Sequence, residues 1–254
     1  MFSIKHMDIL TAGIIIIGDE ILSGRTKDSN SNFIANKLTA SGIQLNEICV
    51  IQDKKEIIIN TVLEFHKKYK YVFTTGGIGP THDDLTSESI SIAFNQKYCY
   101  HKEAYKILEE YYPKGEFNSG RKKMAKMPKE AKLILNPLSA APGFIVKNVY
   151  VLPGVPEIMQ KMFTSLLNDI QKGSPKKIIT LTTNLYESTI AEKLEKIQNT
   201  YSECSIGSYP FYNYILKTGG VNVVISSWSI NNLDHIVKEI QEMVEILGGK
   251  SSIV

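Results

Sequence analysis

At 254 residues, 43% hydrophobic and 22% charged, the chain is long enough for one or two folded domains and too apolar for a disordered one. Its net charge of +3 gives no case for nucleic acid as a partner and is compatible with small anionic ligands. Three scattered cysteines (Cys49, Cys99 and Cys204) exclude a disulfide framework; with no leader-like pattern in MFSIKHMDIL and no apolar run of about 18 residues, a cytoplasmic protein without a membrane partner is expected.

The first element is the unbroken apolar run Ala12 to Ile17. It lacks period-two alternation and so reads as a parallel strand buried on both faces. Gly18 ends it, SGRTKDSNSN is a turn, and Asp28 or Ser29 is placed to cap a helix carrying Phe33, Ile34 and Leu38. Gly42 stops that helix. Ile48, Val50 and Ile51 mark a second strand, Lys55 to Lys68 a helix with Ile58, Val62 and Phe65 inward, and Tyr71 to Thr75 a third strand. Asp84 and Thr86 are candidate caps for the helix that follows. This β-α-β-α-β alternation predicts a parallel sheet with helices on both faces, which binds ligands at the carboxyl ends of its strands.

His101 to Tyr112 reads as a helix with Ala104, Ile107, Leu108 and Tyr111 inward, and Asn118 to Lys126 as a short basic helix. Short strands are expected at Lys132–Leu135, Phe144–Val146 and Val149–Leu152, then a helix from Glu157 to Ile170. The expected division is a first domain over 1–170, a linker QKGSPKK over 171–177, and a small domain over 178–254. In the small domain the pattern is strand, helix (Glu187–Gln198), strands at Cys204–Ser208, Phe211–Leu216 and Val221–Ser227, and an amphipathic helix at Asp234–Leu247. That order predicts a split α/β sandwich.

The stretch TTGGIGPTHDDLT, Thr74 to Thr86, carries the densest chemistry. Gly76, Gly77 and Gly79 permit left-handed backbone and close approach to a ligand, so successive N–H groups there can form an anion nest. No GK[ST] or GxGxxG pattern accompanies them, and a tight strand-to-helix turn explains them equally well. Asp83 and Asp84 are adjacent carboxylates; either both are solvated acids at a helix start, or at least one holds a hard divalent cation shared with substrate phosphates. Asp19 and Glu20 follow the first strand at the same sheet edge, and either could act as a base toward water. His82 is a lone loop histidine, more often a hydrogen-bonded surface group than a proton shuttle, and the histidines show no zinc-ligand spacing. Arg25 could meet anionic oxygens through its fork of donors, as could the Arg121-Lys122-Lys123 cluster, although a solvated basic face accounts for both. SAAPG from Ser139 and PGVPE (Pro153, Gly154, Pro156) are turns of small residues that let a flat ring or a phosphate come close.

In order, GDEILSGRTKDSNSNFIA, TTGGIGPTHDDLT, NPLSAAPGF and LPGVPEIM resemble the molybdopterin-binding-like domain of competence/damage-inducible protein A (CinA), which also forms the amino-terminal half of eukaryotic FAD synthases. The resemblance covers roughly residues 10 to 170. It implies a three-layer α/β domain with a mostly parallel sheet, followed by a small α+β subdomain. It also implies pterin or nucleotide phosphate bound near Gly76, Gly77 and Thr81, a divalent cation (Mg²⁺, Mn²⁺ or Co²⁺) on Asp83 and Asp84, further site residues at Asp28 and Asn30, and a homo-oligomer. Within the family, members similar to CinA and FAD synthase are linked to metal-dependent cleavage of nucleotide pyrophosphates such as ADP-ribose or FAD. That is the leading expectation; a molybdopterin adenylyltransferase-like enzyme and a non-catalytic pterin- or nucleotide-binding module are the alternatives. The CinA amidase domain and the FAD synthase adenylyltransferase domain match nothing in this sequence, so neither activity is expected of it.

Overall fold

The computed structural model describes residues 9–215, 218–230 and 232–254. Residues 1–8 of the segment read for a leader, and Leu216 at the end of an expected strand, lie outside the described residues. The chain forms two compact units, 10–173 and 174–254.

The first unit runs β1 (Leu10–Ile17), α1 (Asp19–Leu22), α2 (Asn30–Ala40), β2 (Ile43–Ile51), α3 (Lys55–Lys68), β3 (Tyr71–Thr75), α4 (Thr86–Ala93), β4 (Tyr98–Tyr100), α5 (Lys102–Tyr111), α6 (Ser119–Lys123), β5 (Lys126–Pro128), β6 (Lys132–Ile134), β7 (Gly143–Val146), β8 (Val149–Leu152) and α7 (Pro156–Leu166). Its six-stranded sheet has the order β2-β1-β3-β8-β7-β6. The first four strands are parallel; β7 and β6 close the edge antiparallel.

The apolar run in β1 is continuous because the strand is buried on both sides. Ile15 and Ile17 join one core with Ile58, Val62 and Phe65 of α3, Ile90 of α4 and Leu108 of α5. Ala12, Ile14 and Ile16 join the other with Ile34 and Leu38 of α2 and Met159, Met162 and Phe163 of α7. Helices on both faces make the expected three-layer α/β domain. Register puts four strand ends side by side: Ile17 lies opposite Ile51, Ile16 opposite Thr75, and Thr75 opposite Leu152.

Several local expectations change. Strand β2 starts at Ile43, directly after Gly42 (φ 73°), five residues before its first strongly apolar stretch. The basic helix stops at Lys123 because Lys126–Pro128 pairs antiparallel with Tyr98–Tyr100 in a two-stranded sheet. Tyr111 is exposed; only Ala104 and Leu108 of α5 are buried, and the Tyr111 ring meets Tyr112 edge-on. Ser29 occupies the N-cap of α2 without a side-chain bond, while Asp28 Oδ1 accepts the N–H groups of Asn30 (2.9 Å) and Ser31 (3.2 Å). Neither Asp84 nor Thr86 caps α4. Leu85 stands at its N-cap, and the buried Thr86 hydroxyl donates instead to Gly76 O at 3.0 Å.

The second unit runs β9 (Lys177–Thr183), α8 (Glu187–Thr200), β10 (Ser205–Asn213), β11 (Thr218–Ser227), α9 (Asp234–Ile246) and β12 (Ser251–Ile253). Its sheet, in the order β10-β11-β9-β12, is antiparallel. Leu181, Val221, Val223 and Ile225 meet Ile190 and Leu194 of α8 and Ile236 and Ile240 of α9 in one core. The result is a βαββαβ split sandwich. Two expected strands merge into β10, which runs through Pro210. A proline is tolerated there because β10 is an edge strand that needs only one ladder.

Candidate functional site

Each of the four parallel strands delivers a loop to the same edge. A cavity of about 400 Å³ opens between them, lined by Ile17 at the end of β1 and Glu20 after it, Asp53 after β2, Gly76 to Gly79, Thr81, Asp83 and Asp84 after β3, and Pro153 to Val155 after β8. A smaller cavity of about 60 Å³ shares Ile17, Glu20 and Gly154 with it and extends past Thr26, Asp28, Asn30 and Pro156.

The glycine loop is shaped by contacts that exclude side chains. Gly76 has φ 104°, and a Cβ there would lie 2.1 Å from Ile17 O; Gly77 has φ 68°, and a Cβ there would lie 2.1 Å from the Thr86 hydroxyl. Gly76 N–H donates to Leu152 O at 3.1 Å, which locks the loop to β8. The next three N–H groups, of Gly77, Ile78 and Gly79, take no acceptor among the described residues. Three consecutive donors without an acceptor at a cavity wall are the kind of backbone that suits an anion. Gly76 itself is not one of them.

The same cavity is lined by acids, and Asp84 Oδ2 lies 2.7 Å from where a Cβ on Gly79 would sit. Thr81 Oγ1 lies 2.5 Å from Asp83 Oδ1 and 2.6 Å from Asp84 Oδ2, and Thr81 N–H donates to Asp84 Oδ2 at 2.8 Å. One hydroxyl proton is thus shared by two carboxylates. The Thr81 hydroxyl, with the Asp83 main-chain N–H, holds the Asp83 carboxyl below its ordinary value; His82 and Lys123 add to this. Asp53 Oδ2 accepts Asp19 N–H at 2.9 Å. Burial pushes the Asp53 carboxyl above its ordinary value, against that hydrogen bond, and the charges of Asp19, Glu20 and Asp83 push it further up. None of Glu20, Asp53, Asp83 and Asp84 forms an ion pair among the described residues.

The expected site residues fall into three groups. Glu20, Gly76, Gly77, Gly79, Thr81, Asp83, Asp84, Pro153 and Gly154 line the larger cavity, and Asp28, Asn30 and Pro156 the smaller one. Asp19 is exposed and contributes its backbone, through Asp53. His82 and Arg25 are exposed and line neither cavity, and Ser139 is held by Asn136 Nδ2 at 2.8 Å, also outside both. Sequence reading passed over Asp53, whose signal was an acid just past the carboxyl end of a parallel strand. Lys123 of α6 also reaches the loop, where its ammonium donates to Thr81 O.

The acid-rich edge was expected to hold a divalent cation. The donors present are all carboxylate and hydroxyl oxygens, which suits a hard cation. No three His, Cys, Asp or Glu side chains among the described residues form a ready-made metal cage. The set therefore fits a cation held by one or two carboxylates and completed by water and substrate phosphate, as magnesium commonly is.

A three-layer α/β domain with a glycine turn beside an acid cluster at the carboxyl edge of its sheet, followed by a βαββαβ unit, defines the class. Residues 13–172 match the family described as "Probable molybdopterin binding domain", and residues 175–247 match "FAD synthase, middle domain". The chain belongs to this molybdopterin-binding-domain family. It is 35% identical to a protein of Archaeoglobus fulgidus over 91% of this chain and 96% of that one. It is 31% identical to "Probable FAD synthase" of Caenorhabditis elegans over 92% of this chain and 50% of that protein, and 29% identical to "Putative competence-damage inducible protein" of Clostridioides difficile over 95% and 59%. Among solved structures it is similar to CinA of Thermoplasma acidophilum, with a TM-score of 0.59 and 32% identity over 63% of this chain and 96% of that one. No described helix is long and apolar enough to cross a membrane.

Proposed function

We propose that the chain hydrolyses the pyrophosphate of a nucleotide such as ADP-ribose or FAD with the help of a divalent cation. The observation that carries this reading is the meeting, in one cavity of about 400 Å³, of three backbone N–H groups without an acceptor and four carboxylates without an ion-pair partner among the described residues. The N–H groups are suited to phosphate oxygens. The carboxylates would repel those oxygens unless a cation lay between, and the resemblance of the second unit to a FAD synthase middle domain supports a nucleotide-related substrate.

Asp83 and Asp84 would hold the cation. Bound there, it neutralises phosphate charge and polarises the phosphoanhydride, the main need of phosphoryl chemistry. Gly77 to Gly79 orient the phosphate. Glu20 lines the cavity where Asp19 does not, so Glu20 is the better placed base: it takes one proton from a water whose oxygen forms the new P–O bond as the anhydride P–O bond breaks. The products from ADP-ribose are AMP and ribose 5-phosphate.

Purified protein incubated with ADP-ribose, FAD and NAD, each with Mg²⁺, Mn²⁺ or Co²⁺, tests the reading by mass spectrometry of AMP. AMP from any mixture supports it; folded protein that yields none in all of them contradicts it. Adenylyl transfer to molybdopterin is the second reading, because the matched family is described as a probable molybdopterin binding domain. Consumption of ATP with formation of an adenylylated pterin, and no AMP from dinucleotides, would select that reading.

A further inference from the structure

Asn30 stands at the first position of α2 and is 6% exposed. Its Nδ2 donates to Gly154 O at 2.8 Å. A carbonyl only accepts, so this bond fixes which way the amide points. The other end, Asn30 Oδ1, is buried and has no hydrogen-bond partner among the described residues. Native proteins rarely leave such an acceptor unpaired, and the exceptions call for an explanation. The nearby Asp28 cannot supply it, since a carboxylate has no proton to give; its oxygens already accept from Asn30 N, Ser31 N and Ser31 Oγ.

Asn30 also lines the smaller cavity, which is next to the larger one and shares Ile17, Glu20 and Gly154 with it. Gly154 belongs to both walls and is the residue that holds the Asn30 amide. The smaller cavity's volume of about 60 Å³ takes a hydroxylated edge and not a bicyclic ring; a single water needs roughly 10–15 Å³ on this measure. In a nucleotide, the hydroxyl donors nearest the phosphate are those of the ribose. Thr26, Lys27 and Ser29 give the cavity further polar lining.

We propose that Asn30 Oδ1 accepts a hydrogen bond from a ribose hydroxyl of the substrate, which makes it the residue that selects ribosyl over deoxyribosyl 5-phosphates. This rests on the reading of the larger cavity as the phosphate site. A site built around a hydroxyl rejects the analogue that lacks it, because its own polar atom is then left unpaired.

The test is calorimetric titration of the full chain, in the presence of Mg²⁺, with AMP, 2′-deoxy-AMP, 3′-deoxy-AMP, IMP and ribose 5-phosphate. The unsubstituted protein should bind AMP and ribose 5-phosphate, and should bind one of the two deoxy nucleotides at least about tenfold more weakly than AMP. In Asn30→Ala that difference should shrink to about twofold or less. The comparison on the unsubstituted protein stands even if Asn30→Ala fails to fold. Equal affinity for AMP and both deoxy nucleotides would overturn the assignment to ribose while leaving the phosphate site intact. Tighter binding of AMP than IMP with no ribose discrimination would overturn it in favour of a ring amino group. Failure of all five ligands to bind would overturn the reading of the larger cavity and this inference with it.

Discussion

The Asp53 carboxylate accepts the backbone N–H of Asp19 at 2.9 Å, tying the loop after β2 to the helix start after β1. Burial of this carboxylate, and then the charges of Asp19, Glu20 and Asp83, cost the fold more than the bond returns. An acid whose folded pKa is raised binds more protons folded than unfolded. Stability therefore falls as pH climbs from the unfolded value through the folded one, and the loss persists above it. Asp53→Asn keeps an acceptor for Asp19 N–H and removes the charge. In chelator at pH 7 its melting temperature should equal or exceed that of the parent, with the difference vanishing below about pH 3.5. A lower melting temperature at pH 7 would show that the ionised carboxylate stabilises the loop.

Adding Mg²⁺ or Mn²⁺ should raise the melting temperature of the parent protein, since a cation that binds only the folded acid cluster stabilises it by mass action. The rise should be lost in Asp83→Asn/Asp84→Asn. The same pair of substitutions should lower AMP release from ADP-ribose by about 10²-fold or more. Unchanged release would remove both carboxylates from the chemistry.

Lys123 donates to Thr81 O beside both aspartates, so it is placed to meet substrate phosphate at the rim. Lys123→Met should raise KM about tenfold with little change in kcat, and Lys123→Arg should restore most of it. Steady-state kinetics on ADP-ribose checks this; a fall in kcat alone would argue that the lysine only shapes the loop.

Gly77→Ala should destabilise the protein by about 2 kcal/mol and cut activity together. At φ 68° an L residue is strained, and its Cβ would press on the Thr86 hydroxyl. Denaturant unfolding measures the first effect and AMP release the second. Gly24→Ala is the control: it shares a positive φ, 72°, but its Cβ meets no described residue within 4 Å, so it should lose stability through strain alone and leave activity unaltered.

How much of this was legible depended on how local each signal was. The doubly buried β1 and the glycine-acid loop of Thr74 to Thr86 announce themselves in consecutive residues. Asp53 does not: it matters only because β2 lies next to β1, and strand order is a property of the whole sheet. The YCY and KMP strands were too short to read, and Lys126 passed for the end of a basic helix until its pairing with Tyr100 was visible. Strand β12 is three residues of low apolar content after two glycines; only its ladder with β9 reveals it. Asn30 could be named from the family resemblance, but its unpaired oxygen is a fact of packing against Gly154.

The central claim is electrostatic: the carboxylates at the sheet edge bind a cation that in turn binds substrate phosphate. Calorimetric titration with non-hydrolysable α,β-methylene ADP-ribose, in Mn²⁺ and then in chelator, measures it directly. Reciprocal coupling requires each ligand to strengthen the other, so the analogue should bind at least about tenfold more tightly in Mn²⁺, with Mn²⁺ gaining the same factor from the analogue. Equal affinity for the analogue with and without the cation would contradict the account.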